Sequence, residues 1–232
     1  TYLHGDFHPR NVLLVPSQDG SISIGYNSYA LKIIDLADAV ILENASDQAP
    51  IAYDFVTFEV DAKARMLFDM LPEEDKKDPR TLLQKLNQVE EKLWKWCRDH
   101  LPNCFDRSWV EDARQSDNSE QSDSLEIIPL ISDSFDFPAD LDIPIFKLIA
   151  GWRYMGIKRL RKCTIKAGGD PDTHKKAQGE ESRWTPARAY AQALFLHSIA
   201  YLQYLDPVKD WDRGIPCILT AAHALNVLDE SV

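Results

Sequence analysis

The sequence predicts an α+β protein that is mainly α-helical, with a small β-hairpin region followed by a helical body. Short apolar or alternating runs before residue 35, separated by turn-forming residues, indicate the β-region. From about residue 51 onward, apolar residues recur every three or four positions, which indicates amphipathic helices. Hydrophobic residues make up 44% of the 232 residues, and this content is sufficient for a genuine core.

Three short segments predict the strands of the β-region. Residues 11–15 are apolar after the first position, which is typical of a buried strand. Residues 21–24 alternate polar and apolar side chains, and we expect them to return beside the first strand. Residues 30–34 resume the strand pattern. The strand ends of this region are therefore expected to present Asn11 and Asp35.

The first predicted helix begins near residue 51 and ends before Pro72. Phe55, Phe58, Ala62 and Met66 follow one another at helical spacing and predict a single apolar face. Pro72 is expected to close the helix, since proline has no amide hydrogen to continue the hydrogen-bond ladder.

A second helix is predicted to begin at Pro79, with Asp78 as its N-cap, because aspartate accepts hydrogen bonds from the first free amides of a helix. Its predicted apolar face consists of Leu82, Leu86, Val89, Leu93 and Trp96. Helical patterns return at 142–163, at 186–205 and at 215–228.

Two polar segments interrupt the helical body. Residues 114–124 contain no apolar side chain, so burial cannot offset the entropy of ordering them, and we expect a disordered loop. Residues 167–182 are polar and contain glycine and proline, which predicts another loop. The predicted organisation is a hairpin region at 1–40 and a helical subdomain at 50–232.

The composition narrows the class of protein. A formal net charge of -11 argues against a nucleic-acid-binding surface, which would need a basic excess. The longest apolar runs are shorter than the roughly 20 residues that span a bilayer, so we expect no membrane partner. Four cysteines show neither a C-x-x-C pair nor zinc spacing, which favours reduced thiols in a cytoplasmic protein (Cys97, Cys104, Cys163 and Cys217).

The amino-terminal segment contains the residue types of a phosphoryl-transfer site. Asp6 is followed five positions later by Asn11, then by a predicted strand, and later by the isolated Asp35. Phosphoryl transfer needs an aligned acceptor hydroxyl and divalent cations that neutralise the phosphate charge. A carboxylate such as that of Asp6 can orient the hydroxyl, and the oxygens of Asn11 and Asp35 are ligands that Mg²⁺ prefers. Taken singly, Asp6 and Asn11 could instead only stabilise a turn.

The motif resembles that of a known family. It reads His4-Gly5-Asp6-Phe7-His8-Pro9-Arg10-Asn11-Val12-Leu13 and is followed by Ile34-Asp35-Leu36-Ala37-Asp38. This pattern is similar to the H-G-D-x-H-x-x-N catalytic loop and the I-D-F strand end of the aminoglycoside phosphotransferase and choline kinase branch of the protein-kinase-like fold. Residues 53–59 also resemble the D-F-x-x-x-E stretch of the kinase-like bacterial ternary complex associated domain group.

The resemblance implies the fold of a kinase-like C-terminal lobe and a role for six residues. Asp6 would be the catalytic aspartate, with Asn11 and Asp35 as the Mg²⁺ ligands of an ATP-dependent reaction. Three further residues would support the catalytic loop: His4 by bracing the backbone of the loop, His8 by packing or hydrogen bonding, and Asp54 by capping the loop or tying it down. The catalytic loop and metal-site hairpin would then occupy residues 1–40.

The resemblance covers about the first 60 residues and has two departures. The spacing from Asn11 to Asp35 is longer than in most kinases, and Leu36 replaces the usual aromatic residue. No phosphate-gripping loop or ATP-positioning lysine precedes the motif, so we expect the amino-terminal nucleotide lobe to be missing and this fragment alone to be inactive. The cofactor-binding residues and the acceptor substrate stay open.

Three functions from different classes remain open at this point. The first is an ATP- and Mg²⁺-dependent phosphotransferase that acts on a hydroxyl of a small molecule. The second is a non-catalytic kinase-like nucleotide-binding or scaffold module in a multidomain signalling or defence protein. The third is a purely structural helical domain, in which the front motif is a coincidence. The intact set of polar residues favours the enzyme.

Overall fold

A computed structural model describes eight parts of the chain. These are residues 2–3, 11–16, 22–24, 27–33, 40–41, 48–106, 144–166 and 185–229. Side-chain burial is described for Asn11 and for residues 52–106, 145–161 and 185–229.

Five short strand segments lie in the amino-terminal part. They are β1 (Tyr2–Leu3), β2 (Val12–Pro16), β3 (Ile22–Ile24), β4 (Asn27–Ile33) and β5 (Val40–Ile41). β1 pairs with β5, and the other three strands form an antiparallel sheet of order β2-β4-β3. Within that sheet the register pairs Val12 with Ile33 and Pro16 with Tyr29.

The predicted α+β class is wrong, because the packed body of the protein is helical. Apart from Asn11, every residue whose burial is described belongs to a helix or to a connection between helices. The predicted small β-hairpin is not seen: residues 22–24 do not return beside β2, because both β2 and β3 pair with β4. Alternation of side chains identifies a strand locally but carries no information about its partner. The kinase-like lobe that the motif implied is therefore corrected to a helical fold.

Seven α-helices are described. They are α1 (Gln48–Ala62), α2 (Phe68–Met70), α3 (Glu73–Lys77), α4 (Pro79–His100), α5 (Pro144–Lys166), α6 (Pro186–Leu202) and α7 (Trp211–Asp229). A π-helical turn, Lys63–Leu67, joins α1 to α2, and a 3₁₀ turn, Pro102–Cys104, follows α4. α1 packs against α5 and α6, while α7 packs against α6, α4 and the π-helical turn.

The predicted starts of α4 and α6 are confirmed by their caps, whereas α6 ends at Leu202, before the predicted limit of 205. The Asp78 carboxylate accepts hydrogen bonds from the amides of Arg80 at 3.1 Å and Thr81 at 3.4 Å. At the start of α6, the Thr185 hydroxyl accepts from the amide of Arg188 at 3.2 Å. Each cap satisfies amides that have no partner within the first helical turn.

The other two late helices differ slightly from their predicted limits. The pattern at 142–163 forms a helix at Pro144–Lys166. The pattern at 215–228 forms a helix that begins one turn earlier, at Trp211, so that Pro216 lies inside α7. The predicted loops at 114–124 and 167–182 lie outside the described residues.

The apolar face predicted for the first helix is correct before the π-helical turn and wrong within it, at Met66. Phe58 and Ala62 are buried, whereas Met66 is exposed and its neighbour Leu67 is 2% exposed. A π-helical turn contains one residue more than an α-helical turn, so it rotates the following side chains around the helix axis. The extra residue turns Met66 outward and brings Leu67 into the core.

The core lies between α1, α4, α5, α6 and α7. All five apolar positions predicted for α4 are buried: Leu82, Leu86, Val89, Leu93 and Trp96. The largest apolar side chains that are fully buried come from α4, α5 and α6 (Phe146, Leu82, Leu93, Ile149, Ile157, Leu160 and Leu194). Within the described part of the chain, no helix combines the length and apolar character needed to cross a membrane.

Two helical glycines make a matched pair for a stability test. A Cβ added to Gly156 would overlap the ring of Tyr190 and lie 3.1 Å from Phe55, whereas one added to Gly214 would meet no atom closer than 3.8 Å. We expect Gly156→Ala to lower the free energy of unfolding by about 1–3 kcal/mol through overpacking. Gly214→Ala should instead raise it by about 0.5–1 kcal/mol, since alanine favours the helix.

Urea denaturation of both variants measures this difference in sign. Two variants that shift the free energy of unfolding in the same direction would contradict the close packing of α5 on Tyr190.

Candidate functional site

Four of the six residues expected to form the site lie outside the described residues: His4, Asp6, His8 and Asp35. Their predicted roles stay predictions. The structure describes the other two, which lie in different parts of the fold: Asn11 directly before β2 and Asp54 in α1.

Asn11 lies directly before β2 and is buried, with 6% of its surface exposed. Val12, the next residue, pairs with Ile33 at the end of β4. The end of β4 that leads to Asp35 therefore lies beside the start of β2, next to Asn11. Burial of an amide side chain is costly unless its polar atoms are satisfied, and Asn11 does take part in a polar interaction.

Asp54 lies in the second turn of α1 and is half-buried. The helix begins at Gln48, earlier than the sequence pattern indicated, so Asp54 does not lie at its first turn. The loop that Asp54 was expected to support is outside the described part of the chain, and that role stays a prediction.

The centre of the helical body contains a group of buried polar side chains, which we call the buried ionic cluster. Each of its six members is at most 4% exposed, and together they come from α1, the π-helical turn, α4, α5, α6 and α7 (Glu59, Lys63, Glu90, Arg153, Tyr190 and Thr220). Two carboxylates face two cations, so the charges balance. This arrangement avoids the large cost of an unpaired charge in the interior.

Glu59 accepts hydrogen bonds from three other members of the cluster. The Nε of Arg153 donates to Glu59 and lies 3.2 Å from Oε1 and 3.3 Å from Oε2. The Nη2 of Arg153 donates to Oε1 as well. Lys63 Nζ lies 2.7 Å from Oε1, and the Tyr190 hydroxyl donates to Oε2 at 2.8 Å. Both carboxylate oxygens of Glu59 are therefore occupied.

Glu90 completes the network from α4. Its Oε1 accepts from Lys63 Nζ and, at 2.8 Å, from the Thr220 hydroxyl. Its Oε2 accepts from Arg153 Nη2 at 2.9 Å. Lys63 and Arg153 thus each bridge Glu59 and Glu90, and the network links helices that are far apart in the sequence.

The electrostatics keep both carboxylates ionised. Burial alone would raise the pKa of Glu90, but the charges of Lys63 and Arg153 outweigh it and lower that pKa to about 2. The pKa of Glu59 is also lowered, because Arg153 and Lys63 together overcome its burial. Burial raises the pKa of Tyr190 well above its usual value, and the neighbouring Glu59 adds to this effect, so its hydroxyl stays a donor.

The arrangement of the cluster favours a structural role, since its two carboxylates are already engaged with donors of the cluster itself. A general base needs a free oxygen within reach of a substrate proton, and both carboxylates are buried and fully hydrogen-bonded. The Arg153 guanidinium also lies over the Trp94 ring, with Cζ 4.4 Å from the ring centroid. A cation over an aromatic face is further stabilised.

A second polar group lies at the edge of the body, where the π-helical turn meets α6. Asp61 is 4% exposed, and its Oδ1 accepts from Arg65 Nε and, at 3.0 Å, from the Tyr201 hydroxyl. Burial and the Asp61 charge raise the pKa of Tyr201. Arg65 is exposed, so this group connects the interior with the surface.

The described cysteines are poorly suited to nucleophilic chemistry. Burial raises the pKa of Cys97 to about 12, of Cys104 to about 11 and of Cys217 to about 12. At neutral pH these thiols are protonated, and the thiolate is the reactive form.

Among the residues that the structure describes, no group of three or more His, Cys, Asp or Glu side chains is arranged to hold a metal ion.

Sequence reasoning missed the buried ionic cluster, although the sequence contains a signal for it. Glu90 lies four residues after Leu86 and three before Leu93, within the apolar face of its helix. Arg153 lies four residues from both Ile149 and Ile157, which are buried. A charged residue at a core position of a helix predicts a buried partner of opposite charge.

No protein-family model, curated protein sequence or solved structure matches this chain.

Two adjacent glutamates of α4 allow a matched test of the cluster. Glu90 is buried, whereas Glu91 is exposed and accepts a hydrogen bond from the Asn87 amide at 2.7 Å. We expect Glu90→Gln to lower the free energy of unfolding by about 3 kcal/mol, because it leaves Lys63 and Arg153 with one carboxylate between them. Glu91→Gln should change it by less than about 0.5 kcal/mol. Equal effects in urea denaturation would contradict a cluster that stabilises the fold.

The same variants test the pH dependence of stability. The pKa of Glu90 is lowered from 4.5 to about 2, so below pH 4.5 the unfolded chain binds a proton that the folded chain does not. The stabilisation is complete above about pH 4.5 and is lost as the pH falls toward about 2. Free energies of unfolding measured across this range should fall less steeply in Glu90→Gln than in the wild type or in Glu91→Gln. Parallel curves for the three proteins would show that Glu90 is not responsible.

Proposed function

We propose that this chain carries the catalytic part of an ATP- and Mg²⁺-dependent phosphotransferase that transfers the γ-phosphate to a hydroxyl of a small molecule. The observation that supports it best is the position of Asn11, buried at the start of β2 and beside the end of β4 that leads to Asp35. Strand pairing places Asn11 beside the last residue of β4, Ile33, which is two positions before Asp35 in the sequence.

The proposed division of roles follows from the chemistry of each side chain. The amide oxygen of Asn11 and the carboxylate of Asp35 would hold Mg²⁺, which prefers hard oxygen ligands. The carboxylate of Asp6 would orient the acceptor hydroxyl and accept its proton. Bound Mg²⁺ would supply neutralisation of the charge on the phosphate oxygens.

The helical body would act as the rigid support of this site. α1 lies next to β1, and β1 ends at Leu3, directly before the motif that begins at His4. The hydrogen bond that Glu59 accepts from Tyr190 ties α1 to α6. The hydrogen bond that Lys63 donates to Thr220 ties the π-helical turn to α7. A catalytic constellation needs a support whose own side chains are locked by packing and hydrogen bonds. The buried ionic cluster provides such a support.

Substitution of the motif residues in the full-length protein tests the proposal. We expect Asp6→Ala to lower kcat for Mg²⁺-ATP turnover by at least about 100-fold, as for loss of a positioned acid-base group. Asn11→Ala should raise the Mg²⁺ concentration needed for half-maximal activity. A coupled ATP assay with a panel of small alcohols and amino alcohols measures both. Asp69→Asn, an exposed aspartate of α2, is the control and should leave activity unchanged.

The alternative function predicts a different result in the same assay. A non-catalytic nucleotide-binding module would bind Mg²⁺-ATP and transfer phosphate to no acceptor in the panel. Turnover that survives Asp6→Ala would show that the catalytic role assigned to this residue is wrong.

A further inference from the structure

The exposed side chains at 189–203 and 214–228 are apolar apart from Gln192, Gln203 and Asn226. Six residues there, which we call the apolar hairpin face, are exposed although none of them is polar (Leu196, Ile199, Ala200, Ile218, Ala222 and Leu225). The exposed fractions of the larger ones are 58% for Leu196, 46% for Ile199, 55% for Ile218 and 42% for Leu225. Contiguous exposed apolar surface in a folded protein marks an interaction site more often than scattered single residues do.

These residues follow helical spacing on each helix. On α6, Ile199 and Ala200 lie three and four positions after Leu196. On α7, Ala222 lies four positions after Ile218 and three before Leu225. Residues at this spacing form one stripe along a helix. The stripe is separate from the intramolecular core, because each helix buries a second set of residues that includes Leu194 on α6 and Ala224 on α7. Within the part of the chain that the structure describes, the outer stripe is exposed and has no packing role.

The charge distribution suggests the kind of partner. Charged residues make up 27% of the chain, yet residues 189–205 and 214–228 contain no Asp, Glu, Lys or Arg. Depletion of charge is a feature of the centre of protein interfaces. With a net charge of -11, two copies of this chain repel each other over most of their surface. The uncharged helix pair is a surface on which two copies can meet without placing like charges together.

The dimensions of the face suit a dimer. α6 has 17 residues and α7 has 19, so each is about 25–30 Å long at about 1.5 Å per residue. Two adjacent helices, each about 10 Å across, give a face about 20 Å wide. Such a face has an area of at least about 500 Å² in projection, and its accessible area over the side chains is larger. Stable interfaces bury about 800 Å² per partner, which is within reach of this surface.

We propose that the apolar hairpin face is the interface of a homodimer, in which the α6–α7 pair packs against the same pair of a second copy around a two-fold axis. The result is a four-helix arrangement, with Ala200 and Ala222 allowing close approach of the helices. A two-fold interface uses the same surface on both copies, so each residue contributes to it twice. This inference does not depend on the proposed catalytic activity.

The test is the molecular mass of the full-length protein in solution. Analytical ultracentrifugation between about 1 and about 100 µM should give a dimer that dissociates on dilution. We expect Leu196→Lys or Ile218→Lys to raise the dissociation constant at least about 100-fold, because one substitution places two lysines in the interface. Leu83→Lys, at a residue of α4 that is 46% exposed and outside the face, is the matched control and should leave the dimer intact.

Two further measurements keep the test decisive. Circular dichroism should show unchanged helix content in all three variants, since the substituted residues are exposed. Hydroxyl-radical labelling of Leu196 and Ile218 in the wild type should fall as the protein concentration rises. A wild type that is monomeric throughout, or lysine variants that dimerise as well as Leu83→Lys, would overturn the proposal and leave the face to a different protein or to another segment of this chain.

Discussion

The helical body depends on the pairing of two carboxylates with two cations in its interior. Glu59 and Glu90 are each bonded to both Lys63 and Arg153, so removing any one of these four side chains leaves a charge without its full complement. The hydroxyls of Tyr190 and Thr220 bring α6 and α7 into the same network. Ionic geometry therefore restricts the relative placement of these helices more narrowly than apolar packing alone would.

Apolar packing surrounds this network and determines where it can lie. Leu86 and Leu93 flank Glu90 on α4, while Ile149 and Ile157 flank Arg153 on α5, and all four are buried. These neighbours exclude water, which strengthens the attraction between the charges but makes an unpaired charge costly. α1, which belongs to this body, lies against β1.

Helix signals in the sequence predicted most of the body, because capping and apolar spacing act over one or two turns. Asp78 caps the start of a helix as expected, and Leu82, Leu86 and Leu93 are buried as expected. Properties that depend on distant parts of the chain were not predictable in this way. The pairing of β2 with β4, rather than with β3, and the meeting of Glu59 with Arg153 are set by contacts between residues farther apart in the sequence. Of the candidate site, the sequence predicted residue types, and the described structure adds the buried position of Asn11.

The π-helical turn at Lys63–Leu67 has a consequence for aligning this chain with other sequences. Its additional residue changes which side chains face the core after Ala62, which is buried. Leu67 is buried in place of Met66. A relative whose helix is regular throughout would lack one residue within this turn. An alignment without a single-residue gap there would pair core positions with surface positions on one side of the turn. The gap belongs inside the helix, where alignment procedures are least inclined to place it.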